Sequence, residues 1–321
     1  MWQGDDVGLF FLPLFHVSGI GWWLRGLFPG SKQVLMPDFD SGEFLRAIPQ
    51  HRVTHTGVVA SALQRILEDP QLAHTDLSSL RYMYYGASAT APHLLAEAMR
   101  TFTTCGFIQS YGQTEAGGAV VSLGPDDHTL DDVPHMTSTG RPFPGVEVRI
   151  IGPDGEPVPA GTSGEIALRS PANMAGYLNL PEETAATLQP DGWLLTGDAG
   201  YLDENGFLYV RDRIKEMIIT GGENVYPAEV ENALASHPGV AGVAVIGVPS
   251  ERWGQEIKAV VEPREDQAPS ESELIAWARD RIAGYKLPKS IAFVDTLPRN
   301  ATGKVTKADL RRLYVQAPAA H

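Results

Sequence analysis

Leu80-Arg81-Tyr82-Met83-Tyr84-Tyr85-Gly86 reads as a strand stopped by a glycine, and Pro92 to Thr101 reads as the helix that follows it. The same alternation extends upstream. Phe10-Phe11-Leu12 has strand character and Ile20–Leu27 helix character, and Gln33–Met36 is a further short strand. Asp40–Gln50 is amphipathic and ends just before the strand-like Thr54–Val59. Strand and helix signals in alternation predict an α/β domain with a largely parallel sheet.

Near residue 140 the texture changes. Gly152-Pro153-Asp154-Gly155 lies between Val146–Ile151 and Glu165–Arg169, a turn between strands. A second strand pair surrounds Asp203-Glu204-Asn205-Gly206, so an antiparallel β subdomain is expected here. After Arg213 comes a smaller α+β unit. Helices are expected near Pro227–Ser236, Ser270–Ala283 and Lys307–Tyr314, and strands near Ala241–Val248, Ile257–Glu262 and Ile291–Val294. Ser270 followed by Glu273 fits a capping box. The expected division is a large domain over 1–212, with its α/β part running to about 140, and a small domain over 213–321.

A length of 321 residues suits about two domains, and 43% hydrophobic residues can fill their cores. The net charge is 25 − 39 = −14, which argues against a generic nucleic-acid footprint. The single cysteine, Cys105, forms no intrachain disulfide and reads as structural; this fits a reducing, cytoplasmic setting. Val7–Leu24 carries no charged residue and has about the length of a membrane span. Pro13, His16, Ser18 and three glycines interrupt it, so a buried strand, a functional loop and a buried helix explain it better.

Four segments carry chemistry. In Tyr111-Gly112-Gln113-Thr114-Glu115, Tyr111 offers a flat surface for a base and Gly112 a close backbone approach. Thr114 offers a hydroxyl for phosphate and Glu115 a hard oxygen for Mg²⁺. Alone, the segment reads as well as a loop with a helix N-cap at Thr114. In Thr196-Gly197-Asp198 a carboxylate at a strand end can accept both hydroxyls of a ribose, though Gly-Asp is also a common turn pair. In Asp212–Glu231, Arg213 can reach ribose or phosphate, Lys215 lies near the domain boundary, and Gly221-Gly222 makes a close-approach loop. A hairpin with a solvated charged stretch explains that segment too. In Pro298–Lys304, Lys304 can neutralise charge developing on a carboxylate and a phosphate, or be simply exposed. The last segment is not a P-loop, because Pro298 stands where that pattern needs glycine.

Together, in order and spacing from Phe10 to Lys304, these segments resemble the adenylate-forming superfamily, and are most similar to fatty-acyl-CoA synthetases and 4-coumarate-CoA-ligase-like enzymes. The resemblance implies an ATP-dependent acid–CoA ligase that needs ATP, Mg²⁺ and CoA and takes a fatty or aryl carboxylic acid. It implies that Tyr111 stacks on adenine beside Gly86, Ala87 and Ser88. Thr114 touches phosphate and Glu115 holds Mg²⁺. Asp198 and Arg213 hold the ribose, Lys215 is the hinge, and Lys304 bridges the acid and the α-phosphate. His16 lies near the acyl pocket and the approaching thiol. Gly221 and Gly222 border the pantetheine tunnel, and Lys286 and Lys289 meet CoA phosphates.

The family's Ser/Thr/Gly-rich phosphate loop, ending in Pro-Lys-Gly, belongs upstream of Phe10–His16 and is not in this sequence. The expectation is therefore a shortened form with impaired adenylation and an exposed sheet edge. A competing reading is a non-catalytic nucleotide- or acyl-CoA-binding remnant or partner subunit. A third is a domain that loads a carrier protein. Whether the chain self-associates is open.

Overall fold

The computed structural model describes residues 2–86, 90–264, 267–300 and 303–315. Ala87 and Ser88 therefore lie outside the described residues. The chain divides into two compact units, Met1–Thr196 with Gly200–Val210, and Gly197–Ala199 with Arg211–His321.

The first unit opens with β1 (Val7–Phe10), α1 (Val17–Leu27), β2 (Lys32–Leu35), α2 (Ser41–His51), β3 (His55–Val58) and α3 (Ala60–Glu68). It continues with β4 (Tyr82–Gly86), α4 (Pro92–Thr101), β5 (Gly106–Gln113), β6 (Gly118–Leu123) and β7 (Arg141–Pro142). These strands form one sheet in the order β2-β1-β3-β4-β5-β6-β7. The pairs from β2 to β5 are parallel, and β6 and β7 return antiparallel. The expected parallel sheet is present, and α4 has the bounds read from sequence, with Pro92 at its first turn.

Local chemistry explains the other helices. Asp40 caps α2 by accepting the Glu43 amide at 2.8 Å. Phe44, Leu45 and Ile48 then recur at helical spacing and are fully buried. They join Leu63 and Ile66 of α3, Leu95 and Ala98 of α4, and strand residues Leu9, Val58 and Met83 in one core. The charge-free stretch from Val7 becomes β1, a loop and α1. No helix among the described residues is long and apolar enough to cross a membrane.

Next come β8 (Glu147–Ile151), β9 (Gly164–Arg169), α5 (Pro181–Thr187), β10 (Leu194–Leu202) and β11 (Leu208–Arg213). The four strands make a second sheet in the order β11-β10-β9-β8, with β8 and β9 antiparallel. This is the expected β subdomain. Its apolar residues Ile150, Ile166, Leu168 and Leu208 pack with Ala116, Val120 and Val121 beside β6.

The second unit contains β12 (Ile218–Thr220), β13 (Glu223–Val225), α6 (Pro227–Ala235), β14 (Val240–Ser250), β15 (Gly254–Pro263), α7 (Glu271–Arg279), β16 (Ser290–Phe293) and α8 (Lys307–Val315). The sheet runs β13-β12-β15-β14, and β16 lies parallel to β15. Strand alternation divides its core between two faces. Val245, Ile257 and Ala259 pack with Val230 and Leu234 of α6 and Leu274 of α7. Ala244, Ile246 and Val260 pack with Leu310 of α8. The capping box at α7 forms: Ser270 Oγ accepts the Glu273 amide at 3.3 Å, and Glu273 accepts the Ser270 amide at 2.8 Å.

Candidate functional site

In the first unit the expected residues gather at the carboxyl ends of parallel strands, where open α/β sheets form ligand crevices. β1 leads into His16, β4 ends at Gly86, and β5 runs out through Tyr111 to Gln113. Gly86 stands beside Ser110 in the parallel register. A Cβ on Gly86 would lie 2.4 Å from the Ser110 carbonyl oxygen, so only glycine fits.

The Tyr111–Glu115 segment turns sharply. The β5–β6 register shifts between Tyr111 and Gly112, a bulge. A Cβ on Gly112 would sit 1.9 Å from the Gly118 carbonyl oxygen, so the close approach at this glycine is to the neighbouring strand. Thr114 is exposed and begins the 3-10 turn Thr114–Ala116, with Gln113 at the cap position; its hydroxyl is not an N-cap. Gly117, at φ +74°, ends the turn. Tyr111 is half-buried beside the Ile150–Leu168 cluster.

Glu115 is braced from far along the chain. Its carboxylate accepts the Tyr177 hydroxyl at 2.9 Å, and its carbonyl accepts the Met174 amide at 2.7 Å. Tyr177 is itself tied to Thr184, whose Oγ1 accepts the Tyr177 amide at 2.9 Å. One oriented carboxylate suits Mg²⁺, which keeps several waters and usually takes one or two protein carboxylates plus phosphate oxygens. No cluster of three or more acidic, His or Cys residues that could hold a metal by themselves occurs among the described residues.

His16 flanks the start of α1 in extended conformation and makes no side-chain cap; its ring lies 4.7 Å from that of Phe15. Cys105 is inert by its surroundings: burial pushes its thiol up to about 12.

In the second unit Asp198 and Arg213 come together, with Arg213 Nε 2.8 Å from Asp198 Oδ1. Asp198 is buried, and Gly197 before it takes φ +69°. Asp212 adds a brace not read from sequence. Its carboxylate accepts the Arg213 amide at 2.7 Å and the Ala228 amide at 2.9 Å, so it also serves the amino end of α6. Lys215 is exposed in the 3-10 turn Ile214–Glu216.

Gly221 and Gly222 join β12 to β13 with φ of +60° and +86°, the double positive φ of a type I′ hairpin. Gly221 donates its amide to the Trp253 carbonyl at 3.0 Å, and a Cβ there would meet the Trp253 ring at 2.9 Å. Gly222 faces open space. The hairpin reading of this segment describes what forms. Lys286 holds both oxygens of Glu229 at 2.7 Å, whereas Lys289 is exposed.

Lys304 is exposed in a self-closed loop. Its amide donates to Asn300 Oδ1 at 3.0 Å, and its carbonyl accepts the Asn300 amide at 2.9 Å. Glu231, given no role in the sequence reading, accepts the Val245 amide at 2.7 Å and pairs with Lys307 at 2.7 Å. Burial pushes its carboxyl pKa up, against the pull of the Lys307 ammonium.

Comparison with known proteins agrees with this arrangement. The AMP-binding enzyme model matches residues 1–178, and the AMP-binding enzyme C-terminal domain model matches 229–304. The chain is 40% identical over 97% of its length to the fatty acid–[acyl-carrier-protein] ligase ScoC of Streptomyces coeruleorubidus, and 42% identical over 97% to feruloyl-CoA synthase of Amycolatopsis sp. It covers 59% and 62% of those two relatives. Among solved structures, amide bond synthetase McbA from Marinactinospora thermotolerans superposes with a TM-score of 0.87 at 35% identity, over 98% of this chain and 63% of that one. MatB from Rhodopseudomonas palustris, in its ATP-bound structure, gives 0.86 at 32% identity, over 98% of this chain and 61% of that one. Two family models, one for each part of the chain, match it, and the chain belongs to the AMP-binding enzyme family of adenylate-forming ligases.

Proposed function

We propose that this chain carries the machinery of an ATP-dependent acid–CoA ligase. In the first half-reaction a carboxylate oxygen of the acid attacks the α-phosphorus of ATP. The bond to the β-phosphate breaks and pyrophosphate leaves. In the second, the CoA sulfur attacks the acyl carbon, AMP leaves, and the thiol proton passes to solvent or a nearby base.

The observation that carries the reading is the Asp198–Arg213 pair at 2.8 Å, a buried carboxylate held in place by a guanidinium, in a chain of this family. Asp198 accepts the ribose hydroxyls, and Arg213 aligns it and reaches toward the sugar. Tyr111 offers its ring to adenine beside Gly86, Ala87 and Ser88, and Thr114 donates to phosphate. Glu115, aimed by Tyr177, holds Mg²⁺, which supplies charge neutralisation on the phosphates when bound. Lys304 neutralises the acid and α-phosphate as charge develops. Lys215 serves as the hinge between domains divided near 212, which lets one site serve two chemistries. His16 borders the acyl group, Gly221 and Gly222 the pantetheine arm, and Lys286 and Lys289 the CoA phosphates. Lys286 would exchange its Glu229 partner to do so.

A second reading keeps the adenylation and changes the acceptor to a phosphopantetheinyl carrier protein; the 40% identity to a fatty acid–[acyl-carrier-protein] ligase favours it. The test is product formation by the purified chain with ATP, Mg²⁺ and a panel of fatty and aryl acids, offered CoA or a loaded carrier protein. Acyl-CoA is the expected product. Acyl carrier protein without acyl-CoA would move the reading to the second acceptor. A folded chain that makes neither acyl-adenylate nor thioester from any acid would overturn both.

A further inference from the structure

The Lys304 loop exits directly into α8. Only Val305 and Thr306 separate Lys304 from Lys307, the first residue of that helix. Thr306 sends both its amide and its hydroxyl to the Pro298 carbonyl, at 2.9 and 3.2 Å, and accepts the Asp309 amide at 3.0 Å. The loop's geometry is thus bound to where α8 begins.

Lys307 is oddly placed for stability. A cation in the first turn opposes the helix dipole. Its partner Glu231 is a carboxylate in a largely desolvated position on α6, beside the Val245 amide and with Asp212 adding like charge. Both members of the pair carry a cost, and a half-buried ion pair of this kind is weak evidence for stability and better evidence for a specified geometry. One turn further along the same face of α8, Arg311 pairs with Glu216 in the turn that holds Lys215. Between the two cations Leu310 is fully buried in the sheet core. Two ion pairs and one apolar anchor therefore set the position of α8 against α6 and the Ile214–Glu216 turn, with the Lys304 loop as its leading end.

We infer that Glu231 is a positioning residue for Lys304, acting through the Glu231–Lys307 pair, which clamps the start of α8 and so holds the lysine loop in the geometry that adenylation needs. This rests on the role proposed above for Lys304. The pair is not needed for the second half-reaction, where that lysine has no charge to neutralise.

The test uses Glu231→Gln, Lys307→Met and the conservative Lys307→Arg in the full chain, with amide hydrogen exchange and both half-reactions as readouts. Exchange at Gly303, Lys304 and Thr306 should rise about tenfold in Glu231→Gln and Lys307→Met, while the β15 amides stay as in the parent chain. Adenylation, read as pyrophosphate–ATP exchange, should slow about tenfold or more with an ATP KM within about twofold, as expected for a misplaced catalytic group. Thioester formation from preformed acyl-adenylate should be unchanged, and Lys307→Arg should restore both readouts. Unchanged exchange at the loop overturns the inference, as does an equal rise across β15, which would mean general loosening. So does full adenylation in Glu231→Gln when Lys304→Ala has none. If the parent chain adenylates no acid, the functional reading falls by itself, and the exchange data still decide whether the clamp holds the loop.

Discussion

Tyr177 donates its hydroxyl to the Glu115 carboxylate at 2.9 Å, bringing the loop before α5 onto the turn at the end of β5. An outer partner of this kind fixes the direction of a candidate metal ligand, and its removal typically costs on the order of 10-fold in metal affinity. Tyr177→Phe should raise the Mg²⁺ concentration needed for half-maximal ATP binding by about that factor. AMP binding without metal should be unaffected, and calorimetric titrations of the two nucleotides make the comparison. A loss of AMP binding would mean that Tyr177 serves the fold and not the metal.

Arg213 and Asp198 form a charge-assisted pair, and hydrogen bonds to charged groups contribute about 1.5–3 kcal/mol. Arg213→Ala and Asp198→Asn should each weaken AMP binding by roughly 10- to 100-fold. Arg213→Lys should restore little, because an ammonium cannot reproduce the guanidinium fork. Binding at the parent level in either variant would remove the ribose role.

Lys304→Ala should cripple adenylation while sparing thioester formation from preformed acyl-adenylate. The lysine is exposed on a self-closed loop, so its loss should leave the melting temperature almost unchanged. Separate assays of the two half-reactions decide the matter, and equal loss of both would contradict the assigned role.

Gly221 and Gly222 both take positive φ, yet their surroundings differ. Gly221→Ala should cost at least about 1–2 kcal/mol for the left-handed backbone, and more from contact with Trp253. Gly222→Asn meets open space and a residue that tolerates this conformation, so its cost should stay under about 1 kcal/mol. Urea unfolding of the two variants would show the difference, and equal costs would mean that Trp253 yields.

His55 lies fully buried beside Asp6, with Trp2 stacked on its ring. Burial pushes its pKa down to about 4; the Asp6 carboxylate opposes that shift and the Arg81 guanidinium adds to it. The unfolded chain binds a proton near 6.5 that the folded chain refuses until about 4. Stability from this group is therefore complete above 6.5 and is lost as pH falls toward 4, by on the order of 3 kcal/mol. His55→Phe should flatten the fall in stability across that window, measured by denaturant titration at several pH values. An undiminished slope would assign the acid sensitivity to other groups.

Much of the fold was legible because its signals are local. The alternation around Leu80–Thr101 gave strand, glycine and helix, and α4 kept its expected bounds. The Ser270–Glu273 box formed as written, and at Gly221-Gly222 the hairpin alternative formed, since capping and positive φ depend on residues only a few positions apart. The short α3 and the strands β5 and β6 were not read from sequence. β5 runs through the Tyr111–Gln113 motif itself, where glycine and polar residues mask strand character that pairing supplies.

The sequence by itself determined most of the order of elements, because strand, helix and turn signals are written in segments short enough for backbone geometry and periodicity to govern, and its four motifs carried the resemblance to the family. Only the tertiary structure decided which neighbours hold those residues: Tyr177 on Glu115, Asp212 on the Arg213 amide, Glu231 on Lys307. It also showed that Gly112 is required by the Gly118 backbone. The physical reason is loop closure. The Tyr177–Glu115 and Glu231–Lys307 contacts join groups far apart along the chain, and core packing supplies the free energy that brings such groups together, for which no local pattern in the sequence is a marker.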